Sequence, residues 1–210
     1  MITLPVFQGL NWLEAHFYNA EESKNITDTI CMKQPHFVDA IWVDKKPDEW
    51  LECDALMTDK ANLNLTVRTA DCAPILLADT EKHIVAAVHA GWKSAVQGLI
   101  ENTVHLMQMK GCQTQNIIAG IGPHLQVQSF EVSPEMKGLF PPIHQHFFTE
   151  DNGRILFDFD GYLQMRLRRL GIKQIQSDGT DTYSDIAYNS YRRNPQDPAR
   201  QFSIIKIKEV

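Results

Sequence analysis

Apolar positions along this chain come in short blocks, and the spacing within each block predicts the element it forms. Residues 38–44 are an apolar run containing β-branched side chains, and residues 63–69 alternate apolar with polar at period two, so both are expected as strands. Residues 74–79 and 83–89 are almost continuously apolar and are separated by the polar Thr80, Glu81 and Lys82, which predicts neighbouring strands buried on both faces. After Gly91 the period changes. Val96, Leu99, Ile100, Thr103, Val104 and Met107 share one side of a helix expected from Trp92 to Lys110, with Gly111 as its stop. A strand over 116–121 closed by Gly122 and Pro123, a short helix over 134–140, a longer one over 162–170 ended by Gly171, and a terminal strand over 203–207 follow. Strands and helices mix without strict alternation, which favours an α+β layered fold in one domain over residues 1–210 rather than a doubly wound sheet.

Composition narrows the class. The 210 residues suffice to bury one sizeable core and fit one domain better than two. Hydrophobic residues make up 43% and charged residues 22%, an ordinary globular balance that argues against disorder. The net charge is -6 and no basic block exceeds Arg168-Arg169 or Arg192-Arg193, which argues against a nucleic-acid partner. The N-terminal residues lack a basic segment followed by an apolar one, and no apolar run reaches the roughly 20 residues of a membrane span. A cytoplasmic protein with no membrane partner is expected. Cys31, Cys53, Cys72 and Cys112 are widely spaced with no CxxC pair, so reduced thiols are expected rather than a disulfide framework or a zinc ribbon.

The candidate chemistry lies at strand ends. Cys72 stands before Ala73-Pro74, at the junction of two expected strands, and His89 ends an apolar strand before Ala90-Gly91. A thiol and an imidazole in such positions suit either a nucleophile with its base or two ligands of one zinc ion. His36, held extended after Gln34-Pro35, is a third candidate, and three protein ligands with one open position make a catalytic metal site. Arg68 and Asp71 put a cation and a carboxylate at a strand end, a costly place for charge that serves packing alone. Lys93 opposes the helix dipole in the first turn after Gly91, beside free amides suited to an anion, which points to phosphate. Arg192 and Arg193, close to Tyr188 and Tyr191, suit a phosphate or a planar ring. The remaining histidines, His16, His83, His105, His124, His144 and His146, read as exposed-loop or helix-face residues. No glycine-rich phosphate loop is present.

Several stretches together resemble one family. They are Gln34-Pro35-His36, Asp54 through Asp59, Val67 through Asp79 with Thr69-Ala70-Asp71-Cys72-Ala73-Pro74 at its centre, His89-Ala90-Gly91-Trp92-Lys93, Gly120-Ile121-Gly122-Pro123, Phe130-Glu131-Val132 and Ser190-Tyr191-Arg192-Arg193. In this order they resemble the YfiH-like family, also called the laccase-domain or polyphenol-oxidase family, whose members are described as purine nucleoside phosphorylases. The resemblance implies a single-domain α/β/β layered fold and a zinc ion on His36, Cys72 and His89. It also implies phosphorolysis of adenosine, inosine, guanosine and methylthioadenosine, together with deamination of adenosine. Cys72, His89 and Asp71 would then be the catalytic residues, Arg68, Lys93 and Arg192 would bind phosphate, and a nucleoside and phosphate would be the partners. The family's older oxidase description implies copper, but two imidazoles and one thiolate fall short of a multicopper cluster.

Two other readings stay open. Some relatives are assigned to editing of peptidoglycan precursors, and the fold is similar to the catalytic domain of cytotoxic necrotizing factor, a cysteine hydrolase. An amidase with Cys72 as nucleophile and His89 as base follows from those. A metal-binding regulatory protein without turnover is motivated by departures from the family pattern. The interval from Asn19 to Ile30 lacks the family's serine-leucine-asparagine and glycine-aspartate stretches, Asp181-Thr182 replaces a cysteine-threonine pair, and Lys93-Ser94 replaces arginine-glycine.

Overall fold

The two apolar blocks at 74–79 and 83–89 form the central hairpin of the molecule. In the computed structural model, which describes residues 1–209, every residue of Ala73–Asp79 and Ile84–Ala90 is buried. In chain order the strands are β1 (Leu13–Phe17), β2 (Ile30–Cys31), β3 (Ala40–Trp42), β4 (Ala55–Thr58), β5 (Leu65–Thr69), β6 (Ala73–Asp79), β7 (Ile84–Ala90), β8 (Ile117–Ile121), β9 (Glu131–Val132), β10 (Phe148–Asp151), β11 (Arg154–Phe157), β12 (Gln174–Ser177) and β13 (Gln201–Ile207). The helices are α1 (Ala20–Ser23), α2 (Trp92–Gln97), α3 (Leu99–Met109), α4 (Pro134–Gly138) and α5 (Phe159–Arg169).

A mixed six-stranded sheet runs β12-β8-β6-β7-β4-β3, a four-stranded sheet runs β1-β13-β5-β2, and β10-β11-β9 make a small third one. Period-two alternation along the hairpin explains the layering. Ile75, Leu77, Ala86 and Val88 face a core shared with Leu99, Ile100, Val104 and Met107 of α3 and with Tyr162, Leu163 and Leu167 of α5. Leu76, Ala78, Val85 and Ala87 face the other way, onto Leu65 and Val67 of β5 and Ile205 and Ile207 of β13. Helices therefore cover one face of the large sheet and the four-stranded sheet covers the other, the layered α+β arrangement that the pattern favours.

The expected elements appear with two kinds of correction. The helix anticipated from Trp92 to Lys110 is broken, because Gly98 adopts φ +107 and separates α2 from α3. A left-handed residue ends one helix and starts another in a new direction, and only glycine adopts it without strain. The second correction concerns histidines. His124 and His144 are buried, not exposed, and His124 places Nδ1 2.8 Å from the Gly122 carbonyl oxygen. No helix among the described residues is long and apolar enough to cross a membrane.

Topology gathers four segments at one end of the large sheet. β4 and β6 both run antiparallel to β7, with Ala55 opposite Val88 and Ala73 opposite Ala90. The starts of β4 and β6 therefore meet the end of β7. β3 is parallel to β4, so the loop that enters it reaches the same edge.

Candidate metal centre and anion cleft

Each of those segments carries a polar group where its strand begins or ends. Cys72 immediately precedes β6, His89 is the penultimate residue of β7, Asp54 immediately precedes β4, and His36 lies in the loop before β3. Ligand atoms of His36, Cys72 and His89 all lie within 4.8 Å of one another. The structure thus brings together the three residues singled out from the sequence, across separations of 36 and 17 positions. Two imidazoles and one thiol this close together could hold a metal ion.

Asp54 orients the cluster and is the residue that sequence reasoning missed. It is fully buried, and its Oδ1 lies 2.8 Å from His89 Nδ1. The same carboxylate accepts hydrogen bonds from the backbone amides of His36 at 3.2 Å and Phe37 at 2.7 Å. The Asp54 carbonyl accepts one more from the His89 amide at 2.7 Å. A carboxylate on Nδ1 leaves Nε2 of His89 to face the other donors, the usual support of a metal-bound imidazole. The one available signal was a carboxylate leading directly into an apolar strand.

Electrostatics in the cluster favour a cation. Burial disfavours the charged form of His89, but the Cys72 sulfur and the Asp54 carboxylate outweigh it, and the pKa is pushed up to about 9. A proton is held there for the same reason that a metal ion would be. Burial, and after it the charges of His89 and Lys93, keep His36 below its ordinary pKa against the pull of Asp54. His36 is therefore disposed to be neutral, the ligand form of imidazole.

The loops that supply the donors are locally strained. Gln34, His36 and Asp71 all have left-handed backbones, with φ +59, +65 and +80. The Gln34 side chain secures the first loop by pairing with both backbone groups of Arg68, donating to its carbonyl at 2.6 Å and accepting from its amide at 2.9 Å. Asp71 is secured by Thr182, whose hydroxyl donates to it at 2.7 Å, and by the Arg192 amide at 2.6 Å. Thr182, the retained member of the Asp181-Thr182 pair, thus braces the loop that holds Cys72, whereas the carboxylate of Asp181, the residue that departs from the family pattern, accepts from the Ser129 hydroxyl at 2.6 Å and the Gln126 backbone amide at 3.2 Å. Gly91 is needed for proximity, since a Cβ there would overlap the His36 ring and stand 3.6 Å from Cys72 Sγ. Gly91→Ala is expected to raise the zinc Kd by at least about tenfold by displacing one of three ligands, checked by titration against a chelating dye.

A cleft of about 910 Å³ opens over the cluster. Arg68, Lys93 and Arg192 all line it, as do Lys33 and Arg200, and Asp71 is the one carboxylate among the lining residues. The paired arginines divide their work. Arg193 is spent on the backbone carbonyls of Thr182, Tyr183 and Tyr188, whereas Arg192 donates to the Glu131 carbonyl at 3.0 Å and borders the cleft. Phe37, Trp92, Phe130 and Tyr191 add aromatic surface.

Residues 15–208 match the family described as multi-copper polyphenol oxidoreductase laccase. The chain is similar to a purine nucleoside phosphorylase of Rickettsia conorii, 33% identical over 186 residues that cover 83% of this chain and 77% of that protein. It is also similar to the purine nucleoside phosphorylase YfiH of Shigella flexneri, 30% identical over 209 residues, 92% of this chain and 84% of that one. Among solved structures, a hypothetical YfiH protein of Bacillus licheniformis gives a TM-score of 0.78 at 25% identity, covering 86% of this chain and 74% of its own. YlmD of Geobacillus stearothermophilus shares the fold with a TM-score of 0.84 at 20% identity, over 98% and 94%.

Proposed function

The chain belongs to the YfiH/laccase-like family, and from that premise we propose that it is a zinc-dependent purine nucleoside phosphorylase that also deaminates adenosine. The observation that carries this reading is the convergence of two imidazoles and one thiol on the floor of a cation-lined cleft. His36, Cys72 and His89 would hold the ion. Zinc, when bound, supplies a Lewis acid that polarises a substrate oxygen or nitrogen. The donor set supports zinc over a multicopper cluster, for which three donors are too few.

In phosphorolysis, a phosphate oxygen attacks the anomeric carbon of the ribose and the bond to the purine nitrogen breaks, with its electron pair leaving on the base. An anionic nucleophile and a base gaining negative charge both need preorganised positive groups. Arg68, Lys93 and Arg192 serve the phosphate. Phe37, Trp92 and Tyr191 offer flat faces to a purine. Asp71 holds the Arg192 segment against the Cys72 loop, a positioning role that its two hydrogen bonds support over proton transfer.

Product analysis tests the reading. Adenosine with phosphate should yield adenine and ribose 1-phosphate, and adenosine alone should yield inosine. Arg68→Ala and Lys93→Ala should each raise the KM for phosphate about tenfold, the loss of one charge-assisted hydrogen bond, with deamination little changed. Parallel loss of both activities, or an unaltered phosphate dependence, would make the two cations structural.

One observation favours the amidase reading: Cys72 is partly exposed in the cleft, with its sulfur within 4.8 Å of a His89 ring nitrogen. In that case the Cys72 thiolate would attack the carbonyl carbon of an amide such as that of a peptidoglycan precursor, the C–N bond would break as His89 protonates the leaving amine, water would hydrolyse the resulting thioester, and the protein would need no metal.

A further inference from the structure

The cleft holds more positive charge than one phosphate requires. Lys33 pairs with Glu52 at 3.5 Å. Arg68, Lys93, Arg192 and Arg200 form no salt bridge among the described residues. These four stand on two walls. Lys93 lies in the first turn of α2, which follows the strand that carries His89 after Gly91, and the Arg192 amide is tied to Asp71. Arg68 belongs instead to β5 of the four-stranded sheet, and Arg200 immediately precedes β13 of the same sheet. Arg68 lies opposite Phe202 and Thr69 opposite Gln201, so Arg200, one residue beyond the paired register, is the diagonal neighbour of Arg68 on the same face.

Both guanidinium groups line the cleft, and neither has a carboxylate partner among the described residues. Burial holds Arg68 below its ordinary pKa against an opposing pull from Cys31, and the charge of Arg200 adds a smaller push in the same direction as burial. Arg68 Nε is buried with no hydrogen-bond partner among the described residues. The Trp50 ring lies 3.9 Å from the Arg68 guanidinium carbon and fixes its plane. Arg200 commits one terminal nitrogen to the carbonyls of Asp197, at 3.1 Å, and Ala199, at 2.6 Å, which leaves the rest of its fork available. A buried donor without an acceptor is costly, and so are adjacent like charges. An anion with several oxygens relieves both, and a planar fork matches phosphate in two-point contact.

We propose that Arg68 and Arg200 form a phosphate subsite on the four-stranded-sheet wall of the cleft, with Arg200 as a binding residue and Trp50 as a positioning residue stacked on Arg68. The proposal deepens the phosphorylase reading and rests on it for the class of ligand. The phosphate group belongs either to the inorganic co-substrate or to a nucleoside 5′-phosphate, and both bring the same chemistry to the two arginines.

Calorimetric titration of the zinc-loaded protein with inorganic phosphate, and separately with adenosine 5′-phosphate, tests it without requiring turnover. Arg200→Ala should weaken at least one of the two about tenfold, with zinc content and circular dichroism unchanged. Arg200→Lys should recover only part of the loss, because an ammonium presents no fork. Trp50→Ala should weaken the same ligand and Trp50→Phe should restore it. A loss with inorganic phosphate assigns the subsite to the co-substrate, and a loss confined to the nucleotide assigns it to the substrate. Arg200→Ala binding both ligands like the wild type would overturn the proposal, as would a wild-type protein that binds neither. Arginine-dependent phosphate binding in a protein that cleaves no nucleoside would uphold the subsite and sink the phosphorylase reading instead.

Discussion

Cys72→Ala is expected to lower bound zinc from about one ion per chain to below about 0.1 and to reduce phosphorolysis and deamination by at least about 10³-fold. Two imidazoles that remain after the thiolate is lost hold zinc weakly at neutral pH. The fold should survive, because Cys72 sits in the turn between β5 and β6 and belongs to neither hydrophobic core. Metal analysis of protein purified without chelator, beside a circular dichroism melt, gives both readouts. The amidase reading also predicts lost turnover, but with no stoichiometric metal in the wild type. Such a wild-type result would decide for Cys72 as a nucleophile.

The three candidate ligands were legible because their residue types are rare at the ends of apolar strands. Their convergence was legible only through the family resemblance, not from the pattern of the segments themselves. It depends on β4 and β6 both running antiparallel to β7, and strand order is chosen by packing between layers rather than by any one segment. β4 illustrates the difficulty: Ala55–Thr58 is four residues long and wholly buried, so it shows no alternation by which to identify it. Asp54 was hidden for the same reason, since it lies 35 positions from His89 and reaches it only through the β4-β7 pairing. The break at Gly98 had a visible signal, a glycine inside a helical pattern, but the helical period on either side outweighed it. The layered class survived these gaps because it rests on the alternation of the central hairpin. The functions of Arg192 and Arg193 diverge because one side chain lies over backbone carbonyls and the other borders the cleft, which adjacent positions in sequence do not distinguish.

Asp54→Asn is expected to raise the zinc Kd by about 10- to 100-fold and to lower stability measurably even without metal. The carboxylate serves three donors at once: His89 Nδ1, the His36 amide and the Phe37 amide. An asparagine keeps one acceptor oxygen and turns the other position into a donor. If its oxygen stays on His89 and His36, its amide group faces the Phe37 N–H; if it flips, it faces the other two donors. Either orientation leaves a buried donor unmatched, at a cost of about 1–3 kcal/mol. Loss of the negative charge also removes an attraction that favours a cation at His89, weakening that imidazole as a ligand. Competition with a chelating dye measures the first effect, and denaturant unfolding in excess chelator measures the second. A zinc Kd within about twofold of the wild type would mean that Asp54 supports the backbone of the His36 loop and leaves the metal site unaided.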